Sequence, residues 1–102
     1  MPSGPALILG PRVFPIARPQ MLVGRGDRAA SHMPDVDLAD LDEDRVVSRR
    51  HARLELRDGP AVLIDLGSTN GTFVNSARIS TATPLQAGDR LQVGRTVLEV
   101  AA

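Results

Sequence analysis

Aromatic side chains are nearly missing from this sequence: Phe14 and Phe73 make up 2% of 102 residues, with no tryptophan or tyrosine. A surface that reads nucleic-acid bases by stacking needs more rings than this. Cysteine is absent altogether, which excludes disulfides, thiolate nucleophiles, iron–sulfur centres and cysteine-based zinc sites while leaving the redox compartment open. Net charge is lacking too. Twelve basic and twelve acidic residues cancel, and a pI of about 6.7 carries none of the basic excess of a general nucleic-acid or anionic-membrane binder. Nor is there a long apolar run: the first ten residues lack a basic region followed by a hydrophobic stretch, and nothing later approaches the roughly 20 apolar residues that span a bilayer. The expectation is a cytoplasmic chain with no membrane and no nucleic-acid partner.

What is present is an aliphatic core in a chain of one-domain length. Hydrophobic residues are 42% of the total, enough for a single core built from Leu and Val, and 102 residues are too few to divide comfortably into two. The charges are unevenly placed. From Asp35 to Asp44 every charge is negative, whereas Arg45, Arg49, Arg50, Arg53 and Arg57 dominate the next stretch. Neutrality overall therefore hides a candidate local anion site.

Short apolar stretches at 7–9 and 13–16 flank the Gly10-Pro11 breaker, and Pro15 restricts the second to an edge strand because it removes a ladder donor. A strand over 20–23 ends in the turn Gly24-Arg25-Gly26-Asp27. Residues 28–46 keep no sustained period. They read as a long connection, with Val36 and Leu38 pinning a strand edge to the core and a short helical turn around 40–44. Such a loop in a compact domain is often functional. From His51 to Arg57 the period is two: Ala52, Leu54 and Leu56 face one way and Arg53, Glu55 and Arg57 the other. Asp58-Gly59 turns the chain into a return strand at 62–66, closing a hairpin. Strands over 72–74, 83–85, 90–93 and 96–100 follow, separated by glycine turns. Many short strands of this kind predict a β-sandwich or small barrel.

Three local signals carry chemistry. Val47-Ser48-Arg49-Arg50-His51 sets arginine and serine donors where the long connection enters a strand, and adjacent donors there can converge on one anion. Alone, such a run is more often a solvated basic face. Asp65 to Thr72, reading DLGSTNGT, places two hydroxyls and an asparagine in a glycine-bounded loop. The asparagine can both donate to and accept from an extended peptide, although an Asn-Gly turn is commonplace by itself. Gly24-Arg25 permits close backbone approach before an arginine, a feature of little weight in isolation.

In combination and in this order, the glycine-arginine pair, the serine-x-x-histidine run and the Ser68-Thr69-Asn70-Gly71-Thr72 loop resemble the forkhead-associated (FHA) domain family over roughly residues 5–100. The resemblance implies one domain spanning 1–102: an all-β, SMAD/FHA-like β-sandwich of about eleven short, mainly antiparallel strands. Its loops at one end would bind a threonine-phosphorylated peptide or protein, such as a Ser/Thr kinase substrate or a segment of its own longer chain. Residue by residue it implies that Arg25, Ser48, Arg49 and Thr69 lie at the phosphate and that Asn70 pairs with peptide backbone just beyond it. Gly24, His51 and Gly71 would shape or brace the loops. Ser76 stands where the family commonly has glycine, so either Asn75 takes the left-handed position or the turn differs slightly. The resemblance also implies a preference for threonine over serine. A methyl niche of that kind is worth on the order of 0.8 kcal/mol by transfer alone.

Catalysis is not expected. There is no cysteine and no GxSxG elbow, His32 has no paired ligand spacing for a metal, and Ser48 and His51 have no evident nucleophile–base relationship. No cofactor is called for. The remaining alternative is a phosphate-independent protein-interaction domain that keeps the same fold and uses an outer sheet face.

Overall fold

The alternating strands assemble into two sheets that face each other across the aliphatic core, in a computed structural model that describes residues 4–42, 45–56 and 61–101. The first sheet holds β1 (Ala6–Leu9), β2 (Arg12–Pro15), β7 (Thr72–Val74), β8 (Ala77–Arg78), β10 (Arg90–Val93) and β11 (Thr96–Ala101), in the order β2-β1-β11-β10-β7-β8. The second holds β3 (Gln20–Gly24), β4 (Val36–Asp37), β5 (Ala52–Leu56), β6 (Ala61–Asp65) and β9 (Thr83–Pro84), in the order β4-β3-β5-β6-β9. All pairings are antiparallel except β3 with β4. The eleven strands and two sheets match the expected sandwich.

Period-two patterning decides which side chains fill the space between the sheets. Leu91, Val93, Leu98 and Val100 point inward from one side, and Val23, Leu54 and Leu63 meet them from the other. Each such leucine or valine contributes about 1.5–3 kcal/mol by leaving water. Leu56, expected inside, is 37% exposed. It is the last residue of β5, past Ala52 and Leu54, which are that strand's contribution to the core. The hairpin register runs from Ala52↔Asp65 to Leu56↔Ala61; the Asp58-Gly59 turn and Arg57 lie outside the described residues.

The long connection is more structured than its sequence suggested. Asp27 caps a one-turn 3₁₀ helix, η1 (Arg28–Ala30), by accepting from the amides of Ala29 and Ala30. Val36 and Leu38 are fully buried, as the pinning argument required, with Val36 in a parallel pair with Val23. A second 3₁₀ turn, η2, occupies Ala39–Leu41; part of the helical turn expected at 40–44 falls on residues 43–44, outside the described residues. β7 lies where a strand is expected, and the chain then turns back into β8, a strand that the sequence does not predict. Asn75 and Ser76 turn it with φ of 50° and 71°, so both, not Asn75 alone, take the left-handed conformation of a two-residue hairpin turn.

Candidate functional site

Loop 24–27, segment 45–51 and loop 66–71 meet at one end of the sandwich, and His51 is the node that joins them. Its side chain is wholly buried. Its backbone N–H donates to Val23 O at 3.1 Å, and its carbonyl accepts from Leu66 N at 3.0 Å. The Ser48 amide donates to His51 Nδ1 at 3.0 Å. Because an amide can only donate, Nδ1 is the acceptor and the ring hydrogen sits on Nε2, which donates to Gly71 O at 2.8 Å. The histidine therefore links the 45–51 segment to loop 66–71 through both ring nitrogens and has none free for proton transfer.

Gly24 is dictated by sterics. A Cβ there would lie 1.9 Å from Arg49 O and 2.8 Å from its carbonyl carbon. This close approach lets the Arg25 amide donate to Ser48 O at 3.1 Å, fixing the two strand ends against each other. Gly71 has φ of +87°, which L side chains rarely adopt, so it holds loop 66–71 in register beneath His51.

On this frame the candidate ligand-facing groups converge. The Ser48 hydroxyl accepts from the Thr69 amide at 3.2 Å. That contact uses an oxygen lone pair and leaves the hydroxyl hydrogen to donate outward. Arg25 is 23% exposed; its Nε is held by Val47 O at 3.2 Å, and no described contact occupies its two terminal nitrogens. The Arg49 guanidinium, 55% exposed, reaches the Asp27 carboxylate through Nη2 at 3.0 Å. Asn70 spends one amide hydrogen on Val46 O at 2.8 Å, keeping its other amide hydrogen and its Oδ1 for a partner. Beside it, Val46, Asn70, Gly94 and Arg95 line an open depression of about 260 Å³.

The FHA domain family model matches residues 21–94, a span holding every one of these groups. The chain belongs to the FHA domain family. It is 38% identical over 95 residues to the glycogen accumulation regulator GarA of Mycolicibacterium smegmatis, covering 93% of this chain and 58% of that protein. It is 35% identical to the oxoglutarate dehydrogenase inhibitor of Corynebacterium efficiens, covering 93% of this chain and 64% of that one. The chain thus spans about three fifths of the length of these curated relatives. Among solved structures, one described as a structural and functional analysis of phosphothreonine-dependent FHA domain interactions superposes with a TM-score of 0.81 at 29% identity, covering 98% of this chain and 97% of that one. FHA domains are generally phosphopeptide-binding adaptor modules and are non-catalytic.

Within this FHA domain three of the four described carboxylates of the acidic run, Asp35, Asp37 and Asp42, serve as scaffold. Asp35 accepts from the Leu22 amide and pairs with Arg18, while Asp37 accepts from the amides of Gly26 and Ala39. Asp42 is buried, accepts from the amides of Val46 and Val47 at 2.8 and 3.0 Å, and lies 3.8 Å from Arg25 Nε. Sequence reasoning missed Asp42 as the anchor of the loop behind Arg25. Its only signal, an aspartate four residues ahead of Val46, is lost among identical neighbours.

Asp65 is the second residue missed. Its carboxylate accepts from the hydroxyls of Ser68 and Thr72 and the amides of Gly67 and Ser68. The Ser68 hydroxyl in turn accepts from the Gly71 amide at 3.0 Å. Ser68 is therefore an internal strut, and of the two hydroxyls counted in this loop only Thr69 is exposed. Burial alone would raise the Asp65 carboxyl, but the hydrogen bonds from Ser68, Thr72 and Gly67 outweigh it and hold it below its ordinary value. A depressed folded-state pKa means stability that is complete above the unfolded value, about 3.9, and lost as pH falls through the folded one. Asp65→Asn is therefore expected to lower the urea midpoint at pH 7 and to show a gap from wild type that narrows below about pH 4. A gap independent of pH would show that the carboxylate charge is not what holds the loop.

Proposed function

We propose that this FHA domain binds segments of protein phosphorylated on threonine, with Arg25, Ser48, Arg49 and Thr69 around the phosphate and Asn70 on the peptide backbone beyond it. The observation that carries this reading is the Ser48 hydroxyl, whose oxygen accepts from the Thr69 amide at 3.2 Å and so keeps its hydrogen to donate, one residue after the Val47 carbonyl that holds the Arg25 guanidinium. A phosphate ester brings about −1.5 to −2 charge and three acceptor oxygens, which matches a hydroxyl and two guanidinium groups better than a planar carboxylate does. The likeness to a solved domain described by phosphothreonine dependence supports the choice of residue. The depression beside Asn70 would take one side chain that follows the phosphothreonine, with Val46 as its apolar wall and Arg95 at its rim. A partner of this kind is a kinase substrate or a phosphorylated segment of the domain's own longer chain, and the names of the relatives, a regulator and an inhibitor, favour an adaptor in regulation.

The test is titration against an oriented phosphothreonine peptide library, with unphosphorylated and phosphoserine controls, repeated for Arg25→Ala and Ser48→Ala. Micromolar binding, roughly −8 kcal/mol at 1 μM, that requires the phosphate is expected. Each variant should weaken it by about 10- to 100-fold, the worth of one charge-assisted hydrogen bond. Binding that ignores phosphate, or none across the library by correctly folded protein, overturns the reading.

A further inference from the structure

The Arg49 side chain is 55% exposed against 23% for Arg25, and a long exposed arginine ordinarily samples many rotamers. Here it is gripped twice. Asp27 Oδ2 pairs with its Nη2 at 3.0 Å, and His32 Nε2 donates to its backbone carbonyl at 2.9 Å. The two gripping residues are themselves locked together, Asp27 N to His32 O at 2.8 Å and His32 N to Asp27 O at 2.9 Å. The other Asp27 oxygen is held by the amides of Ala29 and Ala30 at 3.1 and 3.4 Å, so the carboxylate cannot follow the arginine; the arginine must come to it. The result is a closed clasp built from the 27–32 loop, which no reading of the phosphate contacts requires.

We infer that Asp27, with His32 behind it, is a positioning residue that fixes the Arg49 guanidinium in a phosphate-ready rotamer before the peptide arrives. This rests on the phosphopeptide reading of the site. The clasp occupies one terminal nitrogen, and Nη1 and Nε of Arg49 have no described partner, so donors remain for a phosphate oxygen. Fixing the rotamer in advance removes an ordering cost that binding would otherwise carry. The carboxylate also repels a phosphate dianion, but its charge is partly offset by the two amides on its far oxygen and by Arg49 itself, and salt screens what remains. Preorganisation is therefore the larger effect.

Asp27→Asn separates this role from a merely structural one, because asparagine caps a helical turn about as well as aspartate while losing the charge that holds Arg49. Phosphopeptide affinity is measured for wild type, Asp27→Asn, Arg49→Ala and the double variant. The expected result is a three- to tenfold loss in Asp27→Asn at physiological salt with an unchanged melting temperature, and no further loss when Asp27→Asn is added to Arg49→Ala. His32→Ala should give a smaller loss that also vanishes in the Arg49→Ala background. Unchanged or tighter binding by Asp27→Asn, or an equal loss with and without Arg49, overturns the inference while leaving phosphopeptide binding intact. Absence of binding by wild type overturns the underlying reading instead.

Discussion

Replacing His51 with alanine is expected to be the most damaging single substitution in the domain. It empties a fully buried position and strips two partners at once: the Ser48 amide loses its acceptor and the Gly71 carbonyl its donor. Each stranded polar group costs about 1–3 kcal/mol, and the cavity adds to that, for a total of roughly 3–5 kcal/mol. In a domain near 100 residues this lowers the melting temperature by roughly 15–30 °C. The two conservative variants divide the effect. Asparagine can place an acceptor near the Nδ1 position and so rescue Ser48, whereas glutamine can place a donor near Nε2 and so rescue Gly71. Thermal melts of the three variants should rank alanine lowest, and phosphopeptide binding should survive better in His51→Asn, which keeps the Ser48 side of the bridge. A His51→Ala protein as stable as wild type would mean that the loops are held by other contacts.

The second large effect is expected from adding one methyl group at Gly24. The new carbon would sit 1.9 Å from a backbone oxygen, which no rotamer change relieves. Either β3 or the Ser48–Arg49 backbone must retreat, and both movements break the 3.1 Å bond from the Arg25 amide to Ser48 O. Overpacking of this severity costs about 3 kcal/mol, the upper part of the usual range, and lowers the melting temperature by roughly 10–20 °C. Because Arg25 and Ser48 stand on the two displaced segments, phosphopeptide affinity should fall by at least an order of magnitude even at temperatures where the protein stays folded. Gly24→Ala protein that keeps both its melting temperature and its affinity would disprove the close approach.

Both substitutions fall on residues that the sequence marked only as support, and the reason is instructive. Gly24 is recognisable as a glycine before an arginine, but nothing local says that residue 49 passes within contact distance, because the approach is between segments 25 residues apart. His51 could be read as structural from its family position, yet its tautomer follows only from seeing an amide on one nitrogen and a carbonyl on the other. The acidic stretch is the sharpest example. As a string it is a run of like charges that could face a groove or solvent. In the fold, Asp35, Asp37 and Asp42 each find backbone amides that the strands leave unpaired, and Asp42 alone is drawn beneath Arg25. The two-residue strand β8 has no signal of its own, and β4 shows in the sequence only as Val36 at a strand edge: it is pairing with Phe73–Val74 and Val23–Gly24 that defines them.

By itself the sequence determined the all-β class, the aliphatic core and the order of the three recognition segments, because alternation, glycine turns and motif spacing are properties of neighbouring residues. Ser48, Arg49, Thr69 and Asn70 stand out as candidates for the same reason, each lying inside a contiguous motif. Tertiary structure alone decided which of those groups still have donors to offer. The outward hydrogen of Ser48, the inward-turned Ser68, the half-committed Asn70 and the clasped Arg49 all depend on partners between 3 and 24 residues away. Hydrogen-bonding capacity is spent on whatever the fold brings within about 3 Å, and that distance is set by how the two sheets pack.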